Sequence, residues 1–269
     1  NLLVDKFKMA ETGDLSVKEP ITGGDEITSL DEHFSQMLIK LDKLIRTNYV
    51  QELDRKKLEL KNLQLQINPH FLYNTLETIS SIAAVNKVFI IGDIAGKLGE
   101  IFRYSLGKNY GDFVSLKDEL THIENYIFIQ KMRYGDKLEV FYDVETDTKS
   151  CLVPRFILQP IIENSILHGI APRTNGGIIE IRTEICEGNL VIRIEDDGVG
   201  MDAEKVDYIN HVINSKRTES DENSGVGVKN VNQRIKFVYG DEYGVRLSSS
   251  PNQGSSCIIT IPAKNPEWD

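Results

Sequence analysis

The sequence reads Asp196-Asp197-Gly198-Val199-Gly200-Met201 directly after the apolar run Val191-Ile192-Arg193-Ile194. The composition of that run predicts a strand, and two glycines flanking one residue let the backbone turn sharply where the strand ends. The carboxylate of Asp197 is then well placed to accept a hydrogen bond from an exocyclic amine, such as that of adenine. The same residues also suit an ordinary turn, because Asp and Gly commonly build turns at strand ends.

A second pair of glycines precedes a predicted helix. The chain continues with Ser224-Gly225-Val226-Gly227-Val228-Lys229-Asn230 before the amphipathic run 231–238. Glycines at this place let the first amide groups of the helix approach a phosphate, which the positive end of the helix dipole also attracts. Between the two glycine blocks, residues 202–223 are polar and charged, as is typical of a mobile lid over a ligand or of a plain surface loop.

An apolar segment upstream carries three polar side chains. Residues 155–170 predict an apolar helix, which is interrupted by Glu163, Asn164 and His168. Because Asn164 and His168 are four residues apart, they share one face of a helix. An amide oxygen is a suitable ligand for Mg²⁺, and an imidazole four residues on can reach a phosphate. The alternative is that these groups only hydrogen-bond to neighbouring strands.

The remaining pattern predicts an α+β fold. Alternation at 138–142, 178–185, 189–195, 244–249 and 256–262 predicts strands, and 226–239 predicts a further helix. Helical stretches at 68–85, 91–106 and 115–134 come before them, the last with a capping box at Ser115 and Asp118. The order β-α-β-β-α-β-β predicts a two-layer α/β sandwich behind a helical stalk.

The stalk contains a heptad-like seam. Apolar residues alternate four and three residues apart at Leu30, Phe34, Met37, Leu41 and Leu44, as a two-stranded coiled coil requires. The seam then turns polar at Asn48, Gln51 and Arg55. Such a break suits a signalling hinge, or equally a helix that leaves one partner and joins another.

In this order, the motifs resemble the ATP-binding domain of the GHKL superfamily, which includes gyrase, Hsp90, histidine kinases and MutL. The resemblance implies ATP and Mg²⁺ as cofactors, with the metal held by Asn164 and adenine by Asp197. Val228 stands where the family usually has Leu. The nucleotide-binding residues that the resemblance implies are Asn164, His168, Asp197, Gly198, Gly200, Ser224, Gly225, Val226, Gly227, Val228 and Asn230.

Further upstream the sequence reads QLQINPHFLYNTLE at residues 64–77. Pro69 removes a backbone donor and loosens the helix, so that His70 follows a kink. A neutral imidazole can attack phosphorus through a ring nitrogen. Asn74 lies one turn later on the same face, where it can orient the ring. Glu77 is a more distant carboxylate candidate for the general base. This stretch resembles the phosphoacceptor box of the LytS/YesM-type sensor histidine kinases.

That resemblance implies ATP-dependent autophosphorylation of His70, followed by phosphotransfer to an Asp on the receiver domain of a response regulator. It also implies a homodimer in which His70, Asn74 and Glu163 act in catalysis. The implied domains are a HAMP-like linker at 1–47, a coiled-coil signalling helix at 48–67, dimerisation and histidine-phosphotransfer helices at 68–134, and a catalytic domain at 135–269.

Composition narrows the class of function further. The 41 acidic residues outnumber the 31 basic ones, for a net charge of −10, which disfavours a nucleic acid as ligand. Three widely spaced cysteines suggest reduced thiols in a cytosolic compartment rather than a disulfide framework. No apolar stretch approaches the roughly 20 residues of a membrane span. The resemblance to sensor histidine kinases implies that this chain is the cytoplasmic portion of a plasma-membrane sensor, whose membrane segments would lie upstream.

Two other functions stay open from the sequence. A GHKL ATPase or serine kinase would use the same pocket for a conformational cycle or for another acceptor, and hydrolysis without phosphohistidine would favour it. A HAMP-coupled scaffold would bind nucleotide and transfer nothing. The complete set of Asn164, Asp197, Gly225, Gly227 and His70 argues against it, and absence of ATP binding in calorimetry would revive it.

Overall fold

The computed structural model describes residues 8–11, 16, 25–66, 69–106, 111–215 and 226–263. The chain divides into two compact units, residues 1–68 and 69–269. Within the described ranges, no helix is both long enough and apolar enough to cross a membrane.

The first unit is built on one long helix, α1 (Asp25–Gln66). Phe34 of the predicted seam is buried, and so is Leu38, which lies outside that seam. The other seam residues, Leu30, Met37, Leu41 and Leu44, are exposed on the single chain. The predicted coiled coil between two chains, like the HAMP-like linker before it, stays a prediction.

The second unit begins with the predicted helical hairpin, α2 (Pro69–Val85) and α3 (Phe89–Leu106). Residues 86–88 join the two helices, and the amide of Val88 donates to the carbonyl of Ala83 at 2.9 Å. The antiparallel arrangement returns the end of α3 to the start of α2, where the Tyr73 hydroxyl donates to the carbonyl of Phe102 at 3.4 Å.

The next helix, α4 (Leu116–Tyr134), has the predicted cap. The hydroxyl of Ser115 accepts the amide of Asp118 at 3.1 Å, and the helix stops at Gly135, where φ is +60°. Two short strands that the sequence did not predict, β1 (Phe113–Ser115) and β3 (Leu152–Pro154), pair antiparallel beside this helix.

A five-stranded mixed sheet follows, and its strands match the predicted ones. The order is β2-β4-β5-β7-β6, with β2 and β4 parallel and the other neighbours antiparallel. The bounds are β2 (Leu138–Val144), β4 (Gly177–Cys186), β5 (Asn189–Asp196), β6 (Gly244–Ser250) and β7 (Gly254–Pro262).

The apolar helix predicted at 155–170 begins later, as α5 (Gln159–Asn164), and continues as a π-helical turn to Ile170. Phe156 has φ of +58°, a left-handed conformation that no helix tolerates. Buried Glu119 of α4 accepts the amides of Phe156 and Leu158, each at 3.1 Å. A tertiary hydrogen bond therefore sets the start of α5, and local propensity does not.

The prediction of a polar loop at 202–223 is wrong for the first part of that segment, which forms helix α6 (Ala203–Asn214). Asp202 caps it by accepting the amide of Lys205 at 2.8 Å, and Ile209 and Ile213 are buried. Residues four apart share a helix face, so two isoleucines suffice to dock an otherwise polar helix.

Helices α4, α5 and α7 (Val226–Tyr239) share one hydrophobic core with the sheet. Side chains of β5 alternate between buried and half-buried, so the helices cover one face of the sheet. The structure is thus an α+β fold with a helical N-terminal part, as predicted. The domain boundary at residue 135 stays a prediction, although α4 before it packs into the same core.

Candidate active site

A cavity of about 240 Å³ opens at the end of β5. Its polar lining includes Asn164, Ser165, His168, Asp196 and Lys205. Its apolar lining includes Ile161, Ile194, Met201, Ile209, Val228 and Leu247. Apolar walls with a few convergent polar groups are typical of small-molecule and cofactor sites.

Asp196 is the buried carboxylate of the cavity, with 7% of its surface exposed. Its Oδ1 accepts the amide of Gly198 at 3.0 Å, and Ser165 and the amide of Ser255 also donate to it. Burial raises the pKa of Asp196, and these three hydrogen bonds oppose that rise. The carboxylate is therefore fixed in place by donors and can accept a further hydrogen bond from a ligand.

Two glycines make room for this carboxylate. A Cβ on Gly169 would lie 2.7 Å from Oδ1 of Asp196, and one on Gly198 would lie 2.5 Å from the backbone of Gly169. The amide of Val199 donates to the carbonyl of Gly169 at 3.0 Å. The end of α5 and the loop after β5 therefore touch backbone to backbone, which a side chain at either glycine would prevent.

The same loop is held at its far end by the turn between β6 and β7. Gly200 has φ of +65°, and the next amide, that of Met201, donates to Oγ of Ser249 at 2.9 Å. The amide of Asn252 donates to the carbonyl of Val199 at 2.7 Å. Contacts on both sides thus shape the rim of the cavity.

Asp197, the residue predicted to bind adenine, does not line the cavity. Its Oδ1 accepts the amide of Ile178 at 2.7 Å and pairs with Arg173 at 3.1 Å. Side chains alternate across a strand, and the buried Ile192 and Ile194 of β5 place Asp196 on the same inward face. Extending the alternation of β5 to the pair Asp196-Asp197 would have identified Asp196 as the inward-facing residue.

Asn164 and His168 both line the cavity, as the spacing predicted. The helix changes from α to π between them, with the amide of Ala171 donating to the carbonyl of Ile166 at 2.8 Å. Neither side chain hydrogen-bonds to another described residue. The amide oxygen of Asn164 is a hard donor that fits Mg²⁺ carried on nucleotide phosphates, so this position suits the implied metal.

Glu163 does not line the cavity, and its predicted part in catalysis stays a prediction. Its Oε1 accepts Nε2 of Gln159 at 2.8 Å. Burial, and then the Glu163 carboxylate that accepts the Tyr126 hydroxyl, raise the pKa of Tyr126. Glu163 therefore ties α5 to α4.

The glycine block is described only in part. Ser224 and Gly225 lie outside the described residues. Helix α7 begins at Val226, and Gly227 packs closely on α5, where an added Cβ would lie 3.1 Å from Cβ of Pro160. Val228 lines the cavity, whereas Asn230 is exposed outside the lining.

The predicted phosphoacceptor pair is brought together at the start of α2. His70 and Asn74 are both exposed, and Nδ2 of Asn74 lies 3.2 Å from Nδ1 of His70. Pro69 is the first residue of α2, and the predicted kink falls at residues 67 and 68, outside the described ranges. The contact occupies Nδ1 of His70, and Nε2 has no hydrogen bond to another described residue.

Other residues of the lining were missed from the sequence. Ser165 follows Asn164 directly. Lys205 and Ile209 belong to α6, which lies in the segment 202–223 predicted to be a loop. Cys257 on β7 is buried, and burial followed by the charge of Asp196 raises its pKa to about 12. The inward phase of β7 would have found Cys257, whereas nothing in the sequence pointed to Lys205.

Comparison with known proteins gives two family matches. The family described as "Histidine kinase" matches residues 58–138, and "Histidine kinase-, DNA gyrase B-, and HSP90-like ATPase" matches residues 153–265. Sensor histidine kinase YesM of Bacillus subtilis is 34% identical over 93% of this chain and 41% of its own length. Sensor histidine kinase YpdA of Escherichia coli is 33% identical over 79% and 36%, respectively. YwpD of Bacillus subtilis is 31% identical over 89% and 82%. The chain thus spans less than half of YesM and of YpdA.

Proposed function

This chain belongs to the LytS/YesM type of sensor histidine kinases, and from that premise we propose that it uses ATP to phosphorylate His70. The phosphoryl group then passes to an Asp on the receiver domain of a response regulator. The single observation that carries the proposal is the cavity around buried Asp196, in a chain whose His70 is exposed and paired with Asn74.

Nucleotide binding follows from the cavity. Asp196 accepts the exocyclic amine of adenine, since its carboxylate is oriented by three donors and faces apolar walls. Asn164 contributes an amide oxygen to Mg²⁺, which neutralises charge on the phosphates when bound. His168 and the start of α7 lie in reach of phosphate oxygens, because Val228 in the first turn of α7 also lines the cavity.

Phosphoryl transfer requires a lone pair on one ring nitrogen of His70. With the Asn74 amide turned so that its oxygen accepts Nδ1–H, the lone pair lies on Nε2. Attack forms the bond between Nε2 and the γ-phosphorus while the bond from phosphorus to the bridging oxygen breaks and ADP leaves. Transfer to a regulator then breaks the bond to nitrogen and forms one to a carboxylate oxygen.

A homodimer fits the surface of the hairpin. Apolar side chains exposed on α2 and α3 include Phe71, Ile79, Ile82, Val85, Phe89 and Ile90. Large apolar side chains exposed in such number on two neighbouring helices favour an interaction site, and pairing two hairpins into a four-helix bundle would cover them. The coiled coil at 48–67 and the linker at 1–47 would carry a signal from membrane segments upstream of this chain.

The test is to replace His70 by Gln in the full chain and incubate it with γ-labelled ATP. We expect wild type to give acid-labile, alkali-stable label and H70Q to give none, while both bind nucleotide with the same affinity in calorimetry. His33, an exposed histidine on α1, gives the matched control, and H33Q should label like wild type. Equal labelling of H70Q would refute the assignment, and hydrolysis without any phosphohistidine would favour the ATPase alternative.

A further inference from the structure

A buried carboxylate outside the cavity links three segments of the second unit. Glu119 of α4 has no exposed surface. Its Oε2 accepts the hydroxyl of Tyr104 from α3 and the amide of Phe156. Its Oε1 accepts the amide of Leu158 at 3.1 Å. One side chain therefore bonds both to the phosphoacceptor hairpin and to the segment that enters α5.

The hairpin side of this link is tightly packed. Tyr104 is 4% exposed and stacks on the ring of His122 with centroids 4.2 Å apart. The Arg155 guanidinium lies 4.9 Å from the Tyr104 ring and donates to the backbone carbonyl of Tyr104. Burial, followed by the charge of Glu119, raises the pKa of Tyr104, so its hydroxyl remains a protonated donor.

The cavity side is just as direct. Leu158, whose amide Glu119 holds, offers its carbonyl to the amides of Ile161 and Ile162, each at 3.1 Å. These bonds begin α5, the helix that carries Asn164 into the cavity. A second bond runs in parallel, from Nε2 of His122 to Oε1 of Gln159 at 2.7 Å.

Tyr104 lies at the same end of the hairpin as His70. The helices α2 and α3 are antiparallel, and the contact between Tyr73 and the carbonyl of Phe102 joins the first turn of one to the last turns of the other. Movement of α3 against the sheet would therefore move the His70 end of the hairpin directly.

We propose that the bond between Tyr104 and Glu119 is a joint that positions the His70 end of the hairpin relative to the nucleotide cavity. Tyr104 and Glu119 are thus positioning residues, which act through α3 and through the start of α5. A hydrogen bond between a hydroxyl and a buried carboxylate is among the stronger ones in proteins, and movement of α3 must break it. The kinetic part of this inference rests on the proposed function.

Tyr104→Phe is the sharpest variant, because it deletes one oxygen and leaves both amide bonds to Glu119 in place. We expect the rate of His70 labelling at saturating ATP to fall about tenfold, the loss that corresponds to one charge-assisted hydrogen bond. Nucleotide affinity and stoichiometry in calorimetry should stay unchanged, which separates positioning from loss of folded protein. Tyr239→Phe is the matched control: it removes a hydroxyl that donates to Leu152 at 3.5 Å in the same core and should label at the wild-type rate.

Hydrogen exchange gives a readout that needs no kinase activity. In Y104F the amides at the end of α3, residues 101–106, should exchange about tenfold faster, while those of Phe156 and Leu158 keep their protection. Unchanged exchange at 101–106 would overturn the joint. Faster exchange with an unchanged labelling rate would overturn the positioning role, as would a parallel fall in nucleotide affinity. If wild type itself gives no label, the proposed function has failed, and exchange alone decides whether the joint exists.

Discussion

Replacing Asp196 by Asn turns one oxygen of the buried carboxylate into an amide nitrogen and removes its charge. The exocyclic amine of adenine then meets a neutral acceptor or a second donor. A hydrogen bond to a charged group contributes about 1.5–3 kcal/mol net, which corresponds to roughly a 10- to 100-fold loss of nucleotide affinity. We expect that loss in calorimetric titration of ATP or ADP into the full chain.

Stability should move in the opposite direction. Burial raises the pKa of Asp196 above its ordinary value of 3.8, so the native state binds this proton more tightly than the unfolded state does. Protonation of Asp196 therefore stabilises the native state, and this contribution to the free energy of unfolding is fully present below pH 3.8. It is lost as the pH rises through the native pKa. At neutral pH the ionised group is a cost that Asn does not carry. The melting temperature of D196N without nucleotide should therefore equal or exceed that of wild type, with a flatter dependence on pH above 3.8.

Asp197→Asn is the matched control for this prediction. Asp197 is exposed, its ion pair with Arg173 is at the surface, and Asn keeps an acceptor for the amide of Ile178. Because exposed ion pairs contribute little, nucleotide affinity should change by less than about twofold. Weaker binding in D197N together with unchanged binding in D196N would refute the assignment of Asp196.

The remaining predictions concern three separate sites. Asn74→Ala should slow labelling of His70 about tenfold, the value of one orienting hydrogen bond, without changing ATP affinity; an unchanged rate would exclude an orienting role. Gly169→Ala should weaken nucleotide binding at least about tenfold, because its Cβ would lie 2.7 Å from Oδ1 of Asp196, and the titration that measures D196N would show it. Of the three cysteines only Cys186 is exposed, so a thiol reagent should modify one cysteine in the native chain and three in denaturant; rapid reaction of all three without denaturant would contradict the buried strands.

Most elements of the fold could be predicted because they carry a complete local signal. The cap at Ser115 and the alternation of β5 both report backbone geometry through neighbouring residues. The start of α5 could not be found in this way, because it depends on Glu119, which is about 40 residues distant in the chain. Tertiary hydrogen bonds of this kind leave no periodic trace in the sequence.

Several residues that line the cavity could be predicted from the sequence, but the inward-facing carboxylate at the end of β5 was not identified. Asn164 and His168 could be predicted to share one helix face because they are four residues apart, and both line the cavity. The alternation of side chains along β5 was not extended to the pair Asp196-Asp197, so the prediction names Asp197 where alternation indicates Asp196. Helix α6 was missed because its inward face needs only Ile209 and Ile213 within a charged segment, too few for a window of composition to register.

Two buried carboxylates, Asp196 and Glu119, connect the lining of the cavity with the end of the hairpin. Asp196 accepts the amide of Gly198 in the loop after β5 and the hydroxyl of Ser165, which directly follows α5, and a ligand amine would add a further donor. Glu119 fixes the start of α5 and the end of α3 together. Helix α5 is thus held at one end by Asp196, through Ser165, and at the other by Glu119, which also bonds Tyr104 of the hairpin. A shift of this short helix would therefore either break the bond between Tyr104 and Glu119 or move the end of the hairpin that bears His70.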